Sequence, residues 1–140
     1  MPIINFPFYS TAPGQILRPM LPIKLINPTN GLSIKAWGLI DTGADECAIP
    51  AQYANILGHN LTLGPTKPIG TGNGITNAFA HTSRIEIYSI NDMAHVVHTI
   101  SDTPIDFMPN LHVILLGVKN FLSRFKLSVD YPNKVFSIQK

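Results

Sequence analysis

The sequence predicts an all-β protein, a small closed barrel or sandwich carrying one or two short helices. Short runs such as Leu17–Ile26, Ile34–Ile40 and Thr82–Tyr88 are rich in apolar residues, several of them at period two. Clusters of turn residues separate them, as at Asn27-Pro28-Thr29-Asn30-Gly31 and Tyr131-Pro132-Asn133-Lys134. Only two segments read as helix. Many short strands with so little helix fit a closed or sandwiched sheet.

Residues 1–16 read as an N-terminal arm, because Pro2, Pro7 and Pro13 exclude a helix. Such an arm is ordered only if something receives it. Residues 17–140 form the single domain that follows, of a length that buries a real core. Leu17 to Ile26 is a strand, and Asn27 to Gly31 turns it into a second one that ends at Asp41. Period two puts Leu39 and Asp41 on one face, which lines a cleft. Pro50 to Gly58 has Pro where a helix begins and Gly where it stops, enough for one or two turns. In Thr82 to Tyr88, Ile85 and Ile87 share the core face, while Arg84, Glu86 and Tyr88 face water. Asn91-Asp92 turns the chain into a strand from Met93 to Ile100, and Pro104 and Pro109 break Ser101 to Asn110 into a loop. Gly117 to Phe125 reads as a short helix, Lys126 to Asp130 as a strand and Val135 to Ile138 as the closing strand.

Charged residues make up 13% of the 140-residue chain, against about 25% in ordinary soluble domains, and 45% are hydrophobic. A surface so short of charge fits a chain partly covered by another subunit. The ten Lys and Arg are scattered singly and the net charge is +2, so no basic patch points to nucleic acid. The longest apolar run, near Val113 to Val118, falls far short of the roughly 18 residues that span a bilayer, and the N-terminus lacks a signal-peptide pattern. A protein without membrane attachment, in the cytoplasm, is the expectation.

The stretch that bears chemistry is Leu39-Ile40-Asp41-Thr42-Gly43-Ala44-Asp45. A carboxylate placed at the end of an apolar strand needs a reason, because desolvating its charge costs several kcal/mol. Read alone, Asp-Thr-Gly is an ordinary turn. Two further blocks follow it in the chain: Pro68-Ile69-Gly70-Thr71-Gly72-Asn73-Gly74-Ile75, and Val113-Ile114-Leu115-Leu116-Gly117 followed by Val118 to Leu122. In this order the three blocks resemble the retropepsins, the single-domain aspartic proteases of retroviruses and their bacterial and cellular relatives. The resemblance spans roughly Arg18 to Ile138. It implies a small closed barrel of the acid-protease type, an active-site loop at Asp41, a flap hairpin at Ile69 to Phe79, and a strand and short helix that buttress the loop.

What the resemblance implies for chemistry follows residue by residue. Hydrolysis without metal or covalent nucleophile needs a base to activate water and an acid to protonate the leaving group, and two carboxylates sharing a proton supply both. The chain has one Asp-Thr-Gly, so Asp41 is expected to meet its copy at the axis of a homodimer. Thr42 would hydrogen-bond across that axis, and Gly43 would let substrate backbone approach. Ala44 packs beside the carboxylate. Asp45 binds substrate backbone and pairs with Arg18 at the interface. Leu39, Ile69, Ile75, Val113 and Leu115 would supply apolar pocket walls, with Gly72, Asn73 and Gly74 at the flap tip. A peptide with hydrophobic residues flanking the cut is the expected substrate.

One departure bears on assembly. Val118-Lys119 between Gly117 and Asn120 is one residue more than the viral pattern, and Lys119 cannot make the bidentate contacts of an Arg there. No cofactor or metal is implied. His95 and His98, three apart on a strand, point to opposite faces, and His59, His81 and His112 lack ligand spacing. The single Cys47 excludes an intrachain disulfide and reads as a small packed side chain. No Gly-Lys-Ser or Gly-Lys-Thr follows the glycine-rich hairpin, against nucleotide binding. The alternative to proteolysis is a catalytically silent module of the same fold that binds peptides or scaffolds a complex.

Overall fold

The computed structural model describes the chain except residues 1, 62–64, 72, 73, 90 and 93 and the side chains at 67, 71 and 76. Apolar alternation and tight turns produce ten strands among the described residues: β1 (Ile3–Pro7), β2 (Met20–Ile26), β3 (Ser33–Ile40), β4 (Cys47–Pro50), β5 (Thr66–Thr71), β6 (Gly74–Tyr88), β7 (Val96–Met108), β8 (Ile114–Leu116), β9 (Lys126–Asp130) and β10 (Val135–Gln139). Strands β2, β3, β8, β4, β7 and β6 are hydrogen-bonded in that order, and β2 pairs again with β6, from Ile23 against Ile87 to Ile26 against Arg84. The pairing closes a six-stranded barrel. Its interior is filled by Leu21, Ile23, Leu25, Ile49, Ile85, Ile87, Ile105, Phe107, Ile114 and Leu116, each at most 2% exposed. Burying an aliphatic or aromatic side chain of this size contributes roughly 1.5–3 kcal/mol.

The arm has a receiver within its own chain. β1 lies antiparallel on β10, which pairs with β9, in a three-stranded sheet outside the barrel. Asn5 takes a positive φ of 51°, a conformation that Asn tolerates, and its N–H donates to Ser137 Oγ at 2.9 Å. The resulting bulge leaves both Ile3 and Phe6 buried. Phe6 packs on Phe136 and meets Trp37 edge-on, while Tyr9 stacks on the Trp37 ring at 3.9 Å.

The short helix α1 (Gln52–Ile56) falls within the segment where Pro and Gly predict it, and Gly58 ends it with φ of 73°. Three expectations need correction, and one strand goes unannounced. Ser101 to Asn110 is mostly strand: β7 continues to Met108 and pairs with β6 from Val96 to Phe107, with a register shift between Ile100 and Thr103, while β4 covers its other edge only from Ile105. Pro104 therefore stands where one edge carries no neighbouring strand, the position that tolerates a missing N–H. Gly117 to Phe125 is a series of turns with a single 3-10 turn, Leu122–Arg124, because Phe125 is already extended into β9. Tyr88 is buried, since a register shift after Ile87 breaks the alternation that would turn it to water. The four-residue strand β4 was too short for its pattern to announce, although it sits centrally between β8 and β7.

Candidate active site

Asp41 follows β3 at the point where that strand runs parallel to β8, with Ile40 opposite Leu116. The Asp41 N–H donates to Leu116 O at 3.1 Å, and the Ile40 N–H to Pro19 O at 2.9 Å. Beyond it the chain turns: the Ala44 N–H reaches Asp41 O, and the Gly43 N–H donates to Asp41 Oδ1 at 2.9 Å. A Cβ on residue 43 would stand 3.3 Å from that same oxygen, so a glycine here keeps the carboxylate uncrowded. Thr42 and Gly43 are exposed at the tip.

The segment after β8 supports the loop from behind. The Val118 N–H donates to Ala44 O at 2.9 Å and the Lys119 N–H to Asp45 O at 2.7 Å. Gly117 lies against the backbone of the loop; a Cβ there would overlap the Glu46 carbonyl oxygen and come within 2.8 Å of Ala44 O. The Lys119 ammonium pairs with Glu46 at 3.6 Å. Arg18 and Asp45 are both exposed, and among the described residues no ion pair joins them within one chain. Cys47 is fully buried behind the loop, and desolvation pushes its thiol up to about 11, with the charges of Glu46 and Asp106 adding to the rise and a Gly117 backbone hydrogen bond opposing it.

A cavity of about 720 Å³ opens beside Asp41. Gly43, Ala44, Asp45 and Glu46 form its loop side, Pro68, Ile69 and Gly70 of β5 its opposite wall, and Ala48, Asp106, Met108, Leu111 and Leu115 complete it. The structure thus brings Asp41, Gly43, Ala44, Asp45, Ile69 and Leu115 together. Leu39, Thr42, Gly74, Ile75 and Val113 do not border the cavity of the single chain, and Ile75 is 79% exposed on the hairpin. Gly72 and Asn73 lie outside the described residues; β5 and β6 pair as far as Thr71 and Gly74. Sequence reasoning missed Glu46, Ala48, Asp106, Met108 and Leu111. The alternation Asp106-Phe107-Met108 would have shown two of them, had the segment been read as strand.

His59 and His81 come together away from this cavity, with ring centroids 4.7 Å apart and both rings against Phe107. Burial lowers the pKa of both, and for His59 the neighbouring His81 adds to it. His98 packs on Phe125, and His95 is exposed. Among the described residues no group of three or more His, Cys, Asp or Glu is placed to hold a metal. No described helix is long and apolar enough to cross a membrane.

No protein-family model matches the chain, and no curated protein matches it by sequence. Solved structures do. A retropepsin-like aspartic protease from Rickettsia conorii superposes with a TM-score of 0.58 at 20% identity, over 86% of this chain and 91% of that one. EIAV protease, in complex with the inhibitor HBY-793, superposes with a TM-score of 0.48 at 19% identity, over 77% of this chain and 88% of its own. A six-stranded barrel, an Asp-Thr-Gly loop laid on the segment after β8 and a hairpin across the cleft together give this chain a retropepsin-like fold.

Proposed function

We propose that the protein is an aspartic endopeptidase whose active site is completed when two copies meet at Asp41. The observation that carries this reading is the placement of a single Asp-Thr-Gly carboxylate at the edge of a large cleft, on a loop whose tip, Thr42 and Gly43, is exposed. One carboxylate cannot serve as base and acid at once. A two-fold axis at the tip supplies the second from an identical loop. Exposed apolar side chains, Val118 bonded to the loop through its N–H and Ile16 and Leu17 shortly before the Pro19 that accepts from Ile40, supply area that a second copy would cover. Arg18 then pairs with Asp45 at or across the interface.

In the assembled site a water molecule lies between the two Asp41 carboxyls. The ionised one takes a proton as the water oxygen bonds to the peptide carbonyl carbon, and the protonated one donates to the carbonyl oxygen. The tetrahedral species then breaks its C–N bond as the nitrogen takes up a proton, releasing an acid and an amine. The Gly43 N–H holds Asp41 Oδ1 in place. The β5–β6 hairpin covers the peptide and excludes water.

Sedimentation across a dilution series, with peptide cleavage measured in parallel, tests the proposal. Activity per chain is expected to fall as the dimer dissociates, and replacing Asp41 by Asn should lower kcat/KM on the order of 10⁴-fold with the dimer intact. An active monomer, or an active Asp41→Asn variant, would overturn it.

A further inference from the structure

Two imidazoles meet away from the cleft, from different segments of the chain. His59 follows the C-terminus of α1 and His81 stands on β6; their ring centroids are 4.7 Å apart, and both rings rest on Phe107 of β7. The Nε2 atom of each is buried and makes no hydrogen bond among the described residues. Such a ring is best kept neutral with its proton on Nδ1, because a proton on Nε2 would be a donor without an acceptor. Charging one ring adds that donor and a desolvated positive charge, and charging both sets two cations side by side. Burial lowers the pKa of both, and His81 adds to the effect on His59. The residues that share this face of the two strands, Phe79, Ser83, Ile105 and Phe107, carry no charge, while Asp106 alternates to the opposite face, which borders the cleft. Asn55 and Asn60, on the side of His59, are neutral amides.

The connection that carries His59, Gly58 to Leu61, is anchored at its two ends. Before it, the buried Leu57 offers its carbonyl to the side chains of Asn27 and Asn30. After it, the Ala80 N–H donates to Pro65 O, and β5 begins at Thr66. A cavity of about 490 Å³ opens between the connection and α1, bordered by Ala51, Ala54 and Asn55. A segment with space on one side opens at lower cost than the strands of a closed barrel.

We propose that the His59–His81 contact is an acid-released latch: as the pH falls below about 6.5 the connection lifts from β6 and β7, its imidazoles take up protons in water, and the root of β5, the cleft wall opposite Asp41, is loosened. The latch stands on the histidine pair alone; its effect on a bound peptide rests on reading the cleft as a peptide site. Below the ordinary histidine pKa the closed form binds fewer protons than the open one, so closure is complete above about pH 6.5 and weakens as the pH falls. Each ring that is neutral when closed and free when open raises the opened population by up to about 30-fold at pH 5.0.

Amide hydrogen exchange of the full chain at pH 7.5 and 5.0, corrected for its intrinsic pH dependence, tests the latch. The reporters are the His59 and Ala80 amides, bonded to Ala54 O and Pro65 O. In wild type their protection should fall about tenfold or more in acid while the amides of β2 keep theirs. In a His59→Phe, His81→Phe double variant, and in a His59→Gln, His81→Gln variant that guards against poor packing of the first, the fall should shrink to less than about twofold. A fall that persists in both variants, or a loss that spans β2 and the connection together, overturns the latch. With a cleaved peptide, KM should rise in acid more steeply in wild type than in the variants while kcat follows one profile in all; identical KM profiles overturn the link to the cleft. Acid-released exchange without cleavage of any peptide supports the latch and overturns the protease reading.

Discussion

The loop that carries Asp41 is held by backbone hydrogen bonds to the carbonyls of Pro19 and Leu116 and from the N–H groups of Val118 and Lys119, whereas β5, which faces it across the cleft, is paired along one edge only among the described residues. One rim is fixed from behind by other segments of the chain. The other is the outer strand of a hairpin, with Ile75 standing almost free in solvent. In the proposed protease the difference would match a division of labour: a carboxylate that must be placed within a fraction of an ångström, and a cover that must lift to admit a peptide.

Glycines in the two rims sharpen the contrast. Gly117→Ala should have the largest effect, because the new Cβ would overlap backbone atoms of Glu46 and Ala44 that have no rotamer to escape into. A loss of about 3 kcal/mol in urea unfolding, together with lost cleavage, is expected. In the hairpin, Gly74 has φ of 108° and nothing within 4 Å of its would-be Cβ, so Gly74→Ala carries only a conformational cost of about 1–2 kcal/mol, felt at the hairpin and read as a change in KM. Gly70→Ala meets open space at an ordinary φ and should change stability by less than about 0.5 kcal/mol. An equal response at positions 117 and 74 would remove the distinction between the rims.

Behind the fixed rim, Cys47 should resist maleimide at pH 8 in the native protein and react at once in denaturant, since it is buried and its thiol is held near 11. Rapid native labelling would mean that the loop opens readily. Behind the hairpin, His59 and His81 predict a pH effect of defined sign. Their folded-state pKa values lie below the ordinary 6.5, so the unfolded chain takes up protons first as the pH drops. Their full contribution is therefore present above about pH 6.5 and is lost as the pH falls below it. Thermal melts at pH 7.5 and 5.0 should differ less in a His59→Phe, His81→Phe double variant than in wild type.

Much of this architecture is legible before any coordinates. The Asp-Thr-Gly loop, the helix bounded by Pro50 and Gly58 and the hairpin from Lys126 to Ile138 each carry local signals: a turn residue, a start and stop, a period of two. What is hidden depends on pairing between distant segments. Closure of the barrel needs β2 against β6, 58 to 64 residues apart in sequence. β7 continues past Pro104 because β6 pairs with it on both sides of that residue, so a proline that reads as a breaker does not break it. Asp106 lay hidden in that supposed loop. The carboxylate itself was plain, but its place on the cleft floor follows only from the strand. The proline-rich arm needs a receiver, and the receiver is the C-terminal hairpin of the same chain.

The central claim, that two chains share one pair of acids, is tested most directly by mixing. Wild-type protein is equilibrated with a tenfold excess of Asp41→Asn chains, and peptide cleavage is measured against the same amount of wild type alone, both at concentrations where the chains are fully paired. If each active site needs an Asp41 from both copies, random pairing leaves about a tenth of the activity. Activity that is undiminished by the variant would mean that one chain suffices, and the shared-acid account would be wrong.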